Sequence, residues 1–183
     1  MAISITILLV IAGIISLLLL IAFFMKKGYN IQCEIIINAP LQKVFDYIKQ
    51  LKNWDNFNER AVADPSKKNE FKGTDGTVGF IYAWSGNKKV GKDEKEIKSI
   101  SEGKKIKTEI RFVKPFVAIG YTNMVTESVS GNQTKVIFSN ASILKYPLNI
   151  LLLIVEKGTA KDIDTSLSSL RNILEKESQH SNL

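Results

Sequence analysis

The chain has 183 residues, of which 45% are hydrophobic and 23% charged, and its formal net charge is +7. Its only histidine, His180, lies in a polar C-terminal tail, which excludes Ser-His-Asp and Cys-His catalytic arrangements and a histidine-rich metal site. The lysines form no dense basic stripe and there is no Gly-rich phosphate loop, so the sequence indicates no nucleic acid, metal or other cofactor as a partner.

An uncharged apolar segment occupies residues 2–25 and ends at Lys26 and Lys27. A helix of that length measures ~36 Å, enough to cross the ~30 Å hydrocarbon core of a bilayer. A cleaved signal peptide would carry a basic N-terminal region and a small-residue cleavage site, which are both missing, and a buried core helix would be shorter. The sequence therefore predicts one transmembrane helix over residues 2–25, which makes the lipid bilayer a partner.

The two lysines after this helix also predict its orientation. Basic residues flanking a membrane helix favour the cytoplasmic side, so we expect a single-pass protein of the cell (inner) membrane whose C-terminal domain is cytoplasmic. Cys33 is the only cysteine and cannot form an internal disulfide, which suits a reducing compartment. It falls in an apolar strand, where a cysteine is more often a small core residue than a nucleophile.

The rest of the chain predicts a short connector over 26–30, one domain over 31–177 and a disordered tail over 178–183. A strand over 31–37 leads through Pro40 into an amphipathic helix, and a second short helical turn carries Trp54 and Phe57. Six segments with strand patterns follow at hairpin-like spacing, which is typical of an antiparallel meander: 70–72, 77–84, 90–99, 104–112, 117–129 and 133–143. An amphipathic helix over 161–177 closes the domain.

Several segments carry a family resemblance. They are residues 37–48 (INAPLQKVFDYI), Trp54, the hairpin at 86–91 and the closing helix over 158–174. Their order is similar to that of the START-like (SRPBCC) superfamily, which includes the polyketide cyclase/dehydrase families, and the resemblance covers about residues 31–177. It implies an α+β helix-grip fold (β-α-α-β6-α), in which a curved antiparallel sheet surrounds the C-terminal helix and a cavity. Relatives bind sterols, lipids, plant hormones or aromatic polyketides, and some are enzymes.

Large apolar side chains on the predicted strands and closing helix are the candidate ligand contacts, because such side chains line apolar pockets. The predicted lining is Phe80, Tyr82, Trp84, Ile110, Phe112, Tyr121, Phe138 and Leu167. Ordinary core packing would explain the same positions. Asp93 and Lys95 share the strand parity of Ile97, so they either line the cavity as a polar pair or lie on a solvated edge strand that is charged on both faces. The same two interpretations, a cavity-lining or a solvated position, remain open for Glu127.

The apolar segment Leu148–Val155 is too short to span a membrane. Three interpretations remain for it: it caps the cavity before the closing helix, docks on the bilayer beside the anchor, or belongs to the core. The family resemblance favours the first.

Taken together, these features predict a membrane-anchored domain that binds a hydrophobic small molecule or lipid and has no assigned catalytic residue. One alternative is an enzyme of the cyclase type that uses Asp93, Lys95 or Tyr82 to orient an aromatic substrate. Another is an interaction module for a second membrane protein. A filled space between sheet and helix would contradict ligand binding, and a purely apolar lining would argue against catalysis.

Overall fold

The computed structural model describes residues 2–87, 90–114 and 117–180, with side chains described over 4–87, 90–113 and 117–176. The helices are α1 (Ala2–Phe24), α2 (Leu41–Lys49), α3 (Trp54–Phe57), α4 (Glu59–Val62) and α5 (Leu152–His180), with 3-10 turns at Leu51–Asn53 and Leu148–Leu151. The strands are β1 (Gly28–Ile37), β2 (Lys68–Lys72), β3 (Ile81–Ser85), β4 (Lys92–Ser101), β5 (Lys105–Lys114), β6 (Ala118–Ser130) and β7 (Gln133–Ile143).

Helix α1 is apolar on every face and leaves nearly all of its side chains exposed. By length and composition it could cross a membrane. Strand β1 begins at Gly28, so the link between helix and domain is shorter than the predicted connector over 26–30. The reason is tertiary, because Gly28 and the next two residues pair with the end of β7.

The seven strands form one antiparallel sheet in the order β1-β7-β6-β5-β4-β3-β2, which contains the predicted six-stranded meander. Helix α5 lies across the sheet and packs on β1 and β7. It begins at Leu152, nine residues before the predicted Lys161, and it continues through His180, so the predicted tail over 178–183 starts inside the helix. Residues 181–183 lie outside the described residues.

The two halves of the sheet are filled differently. Pairing register places the start of β1, the end of β7 and the β5–β6 hairpin at one end, which we call the anchor end because α1 joins the domain there. Large side chains fill the opposite half, including Ile97, Ile106 and Met124 from the sheet and Leu170 and Leu174 from α5. Burying each such side chain contributes about 1.5–3 kcal/mol, so this half supplies the packing that holds the sheet on α5.

Candidate functional site

A cavity of about 100 Å³ remains between the sheet and α5 in the anchor-end half of the domain. An apolar cavity of roughly 150 Å³ in another protein holds a benzene molecule, so this space is of the size of a small ring. Five of the predicted lining residues lie on its wall, together with both predicted polar residues: Tyr82, Trp84, Ile110, Phe112, Phe138, Asp93 and Lys95.

Small inward-facing residues create this space. Strand β6 presents Gly120 and Thr122 to the interior at the anchor end, whereas it presents Met124 in the filled half. A Cβ at Gly120 would lie 3.1 Å from Cε2 of Phe112, so glycine is the residue that lets this ring lie against β6. Helix α5 contributes the small Thr159 and Ser166 opposite. The void therefore follows from residue size on facing elements.

Lys95 is the central polar group of the cavity. It lies on β4 between Tyr82 of β3 and Ile110 of β5, and only 8% of its surface is exposed. Its Nζ lies 3.8 Å from the ring centroid of Trp54, a cation–π contact. In the part of the chain that the structure describes, no carboxylate forms an ion pair with it. The edge-strand interpretation is thus wrong, because β4 is an interior strand and its Lys95 faces inward.

Burial lowers the pKa of Lys95 from its ordinary value to about 7, an effect that the Asp55 carboxylate opposes and the Arg60 guanidinium reinforces. The buried amino group therefore gives up its proton more readily than an exposed lysine does. Such a group can bind an anion when protonated and accept a proton when neutral.

Asp93 joins Lys95 on the same face of β4, two residues away. It is buried and accepts a 3.0 Å hydrogen bond from the backbone N–H of Val113 beside a β-bulge in the β4–β5 pair. The predicted polar pair is thus brought to the cavity, and part of the Asp93 carboxylate holds β5 in place.

A carboxylate that the sequence analysis missed organises the β3 side of the cavity. Asp55 of α3 accepts a hydrogen bond from the Tyr82 hydroxyl, a 3.1 Å contact from Nζ of Lys67 and a 2.9 Å hydrogen bond from the amide of Asn69. Burial and the hydrogen bond to Asp55 raise the pKa of Tyr82 far above its ordinary value, so its hydroxyl stays protonated and donates. The available signal was an acidic residue between the two buried aromatics Trp54 and Phe57.

An ion pair between α4 and α5 marks where the cavity meets solvent. Nε of Arg60 lies 2.8 Å from Oδ2 of Asp162, and their side chains are 55% and 32% exposed. Both line the cavity. Ser166 links the same elements, because its hydroxyl donates to the Asp162 carbonyl and accepts from the N–H of Glu59. This pair can limit access to the interior.

Polar groups also line the wall formed by β1, β6, β7 and α5. The Tyr29 hydroxyl donates a 3.0 Å hydrogen bond to Oδ1 of Asn140, and burial raises the pKa of this tyrosine. The Thr122 hydroxyl is buried without a partner among the described atoms. A molecule in the cavity could therefore form hydrogen bonds at a wall other than the one that carries Lys95.

Three predicted lining residues do not line the cavity. Phe80 is buried and stacks on Phe71, and Leu167 belongs to the core. Tyr121 is exposed on the outer face, because Gly120 and Thr122 take the inward positions of β6. The alternation along β6 could not show which of its faces points inward, because both faces carry residues that favour strands.

Two other predicted residues have simple roles. Glu127 lies on the outer face, where Lys135 pairs with it at 3.3 Å, so it does not belong to the cavity. Cys33 packs against the core, and burial raises the pKa of its thiol. Its side chain is partly buried, as the interpretation of Cys33 as a small packing residue predicts.

The apolar segment at 148–155 contacts α1. Asn149 is fully buried, and its Nδ2 donates to the carbonyl oxygens of Ala22 at 2.6 Å and Met25 at 3.3 Å. The segment thus caps the C-terminal end of α1, whose last carbonyls have no partner within the helix. Residues 148–155 contribute nothing to the cavity lining, so the prediction that they cap the cavity is wrong.

No family model and no curated protein matches this chain. Solved structures do match it. Norcoclaurine synthase from Thalictrum flavum, in complex with dopamine and hydroxybenzaldehyde, is 10% identical with a TM-score of 0.64, covering 81% of this chain and 87% of the synthase. The Aha1 dimer from Colwellia psychrerythraea is 17% identical with a TM-score of 0.57, covering 80% of this chain and 96% of that one.

A third structure, the hypothetical protein jhp0584 from Helicobacter pylori, is 10% identical with a TM-score of 0.61, covering 80% of this chain and 88% of that one. Identities this low show the fold alone. The fold is the helix-grip fold that the sequence predicts, an α+β arrangement of a curved antiparallel sheet around a long C-terminal helix.

Proposed function

We propose that this helix-grip protein is tethered to a membrane and binds a small molecule that carries one aromatic ring and an anionic or carbonyl oxygen. The observation that carries the proposal is the position of Lys95, a buried amino group that faces an aromatic-walled cavity without an ion-pair partner in the described chain. A buried cation is costly unless a partner compensates it. An oxygen of a bound molecule would supply that partner.

The size of the cavity supports a single ring. About 100 Å³ accommodates a small cyclic molecule and is too little for a whole acyl chain with its headgroup. Trp54, Trp84 and Phe138 provide the apolar and aromatic wall. The norcoclaurine synthase complex contains dopamine and hydroxybenzaldehyde, which each have one aromatic ring.

The tether is α1. Its 23 residues carry no charge, and Lys26 and Lys27 follow one residue after its end. This arrangement supports a bilayer-spanning helix with the domain on the cytoplasmic side. The ligand would then be a molecule found at the inner membrane surface.

Benzoate should bind more weakly as the pH rises above 7. Benzoate stays ionised between pH 5.5 and 9, whereas Lys95 loses its proton as pH rises through its pKa of about 7. We expect a constant affinity below pH 7 and a fall that approaches tenfold for each pH unit above it, because only the ammonium pairs with the carboxylate. Trp54 and Trp84 are the only tryptophans of the chain and both line the cavity, so their fluorescence in the detergent-solubilised full-length protein measures binding.

Two controls test whether the charge of Lys95 causes this pH dependence. Benzyl alcohol has the same ring without a charge, so its affinity should change little with pH. In the Lys95→Met variant, benzoate should bind at least tenfold more weakly at pH 6 and without the pH dependence. Equal benzoate affinities in the wild type and this variant at pH 6 would remove Lys95 from the site and contradict the proposed ligand class.

A second candidate function is an enzyme that acts on the bound molecule, and the position of Lys95 on the cavity wall together with its lowered pKa favours it. A neutral amine adds to an aldehyde carbonyl and loses water to give an imine, which borohydride reduces to a stable secondary amine. We expect 4-hydroxybenzaldehyde with borohydride to modify Lys95 several times faster than the exposed Lys107, as measured by peptide mass spectrometry. Equal or slower modification of Lys95 would contradict a reactive amine.

A further inference from the structure

Exposed apolar side chains collect at the anchor end of the domain from three separate parts of the chain. Val113 lies near the end of β5 and Val117 directly precedes β6, and Val117 is 84% exposed. Tyr146 follows β7, while Leu153 and Ile154 lie in the first turn of α5, with Ile154 75% exposed. Scattered apolar residues on a surface need no explanation, but a group at one end of a fold indicates an interaction surface.

The pairing register shows why these residues share one end. Gly120 of β6 pairs with Ser142 of β7. Val117 precedes Gly120 by three residues and Lys145 follows Ser142 by three, so antiparallel strands bring both to the same border of the sheet. The first residue of β1 lies there too, because Gly28 pairs with Ile143.

This end is fastened to the end of α1 by several contacts. Asn149 caps α1, and the N–H of Leu144 donates a 2.7 Å hydrogen bond to the Lys27 carbonyl. The rings of Phe23 and Tyr146 meet edge to face at 6.4 Å, and Lys26 pairs with Glu156 at 2.6 Å. These contacts leave the domain little freedom to move away from the point where α1 ends.

Basic residues lie beside the parts of this group that follow β7 and begin α5. Lys26, Lys27, Lys145 and Lys157 are all exposed and lie on the segments that carry or contact it. Each lysine close to an anionic membrane contributes about 1 kcal/mol of attraction. Apolar side chains bordered by lysines are the composition of surfaces that lie in a membrane interface.

We propose that the anchor end is a membrane-seating surface, which inserts Val113, Val117, Tyr146, Leu153 and Ile154 into the headgroup region of an anionic bilayer. The proposal rests on α1 being the membrane tether. The bilayer is the occupant that the structure favours, because the surface is continuous with the end of α1 and its border is positively charged. The cavity lies in the same half of the domain, so seating would place it against the leaflet.

The test uses the full-length protein in nanodiscs of phosphatidylcholine and phosphatidylglycerol (3:1). Single cysteines are introduced into a Cys33→Ala background and labelled with the fluorophore NBD: Val117→Cys and Leu153→Cys on the proposed surface, Ile14→Cys in α1, and Ser130→Cys at the exposed opposite end of β6. The label at 117 is decisive because residue 117 is far from α1 in sequence, so its contact with lipid would not follow from the insertion of α1 alone. Lipids with a nitroxide just below the headgroup serve as quenchers for the labels at 117, 153 and 130, and lipids with a nitroxide near the end of the acyl chain serve for the label at 14, which lies in the middle of α1.

We expect the labels at 117 and 153 to emit at shorter wavelength and to lose at least half of their fluorescence to the nitroxide, while the label at 130 is unaffected. If the label at 14 is quenched but the labels at 117 and 153 behave like the label at 130, then α1 is the tether and the proposed seating surface is wrong. If 14 is also unaffected, the tether fails as well. Unchanged emission of Trp54 and Trp84, measured before labelling, verifies that each variant is folded.

Discussion

Replacing Lys95 with methionine should increase the free energy of unfolding of the full-length protein by about 2–4 kcal/mol at pH 6. The folded protein holds this amino group under the sheet, where burial lowers its pKa to about 7, and folding at pH 6 must therefore remove a charge from water. Methionine has a similar volume and no charge, so it keeps the contact with Trp54 and removes that cost.

The gain should disappear at high pH. The unfolded lysine titrates near 10.5 and the folded one near 7, so the unfolded state binds more protons between these values. Stability of the wild type therefore rises with pH across that window, and the advantage of the variant is complete below pH 7 and lost by about pH 10.5. Urea unfolding in detergent at pH 6, 8 and 10, followed by tryptophan fluorescence, measures both proteins.

The matched control is Lys107→Met, which changes an exposed lysine on the outer face of the neighbouring strand β5. It should alter stability by no more than about 0.5 kcal/mol at any pH. A Lys95→Met variant that is less stable than the wild type at pH 6, or that keeps its gain at pH 10, would show that the cavity compensates the Lys95 charge. Stabilisation together with lost benzoate binding would instead place Lys95 among residues that cost stability because they serve function.

The fold could be predicted from local patterns because its strands are local. Period-two alternation, Gly-containing turns and the interruption at Lys114-Pro115 define β4 to β7, and neighbouring strands in sequence are neighbours in the sheet. Elements whose extent depends on distant contacts were misjudged. The start of β1 is set by pairing with β7. Helix α5 begins well before the predicted Lys161, directly after the 3-10 turn whose Asn149 caps the end of α1.

The residues of the candidate site also differ in whether a local sequence pattern could predict them. Strand parity grouped Asp93 with Lys95 on one strand and Tyr82 with Phe80 and Trp84 on another, and the structure brings all of these except Phe80 to the cavity. Asp55, Arg60 and Lys67 come from short helices and the loop after them, where no periodicity indicates which side chain turns inward. Asp162 lies in α5, at a polar position of the predicted amphipathic pattern. Tyr121 was misplaced for a different reason. The alternation along β6 is clear, but the residues on both of its faces suit a strand. The sequence therefore does not show that the face with the small residues is the one that points into the cavity.

Asp55 should be the most sensitive carboxylate of the domain to substitution. Asp55→Ala removes the acceptor of the Tyr82 hydroxyl and the ion-pair partner of Lys67, whose side chain is only 6% exposed. Leaving a buried ammonium without its carboxylate typically costs about 3–5 kcal/mol, so we expect a loss of about 3 kcal/mol in urea unfolding at pH 7. A matched control is Asp46→Ala, which removes a half-exposed carboxylate that pairs with Lys49 at 3.7 Å and should cost less than about 1 kcal/mol.

A double-mutant cycle separates the orphaned charge from the lost packing. Lys67→Met in the Asp55→Ala background should recover about 1–2 kcal/mol, because the remaining structure then buries no unpaired ammonium there. The Tyr82 hydroxyl still lacks its acceptor, so recovery stays incomplete. If the two substitutions were simply additive, Asp55 would act through Tyr82 or through the position of α3 alone, and the carboxylate would then matter to the cavity as a support for the tyrosine rather than as the counter-charge of Lys67.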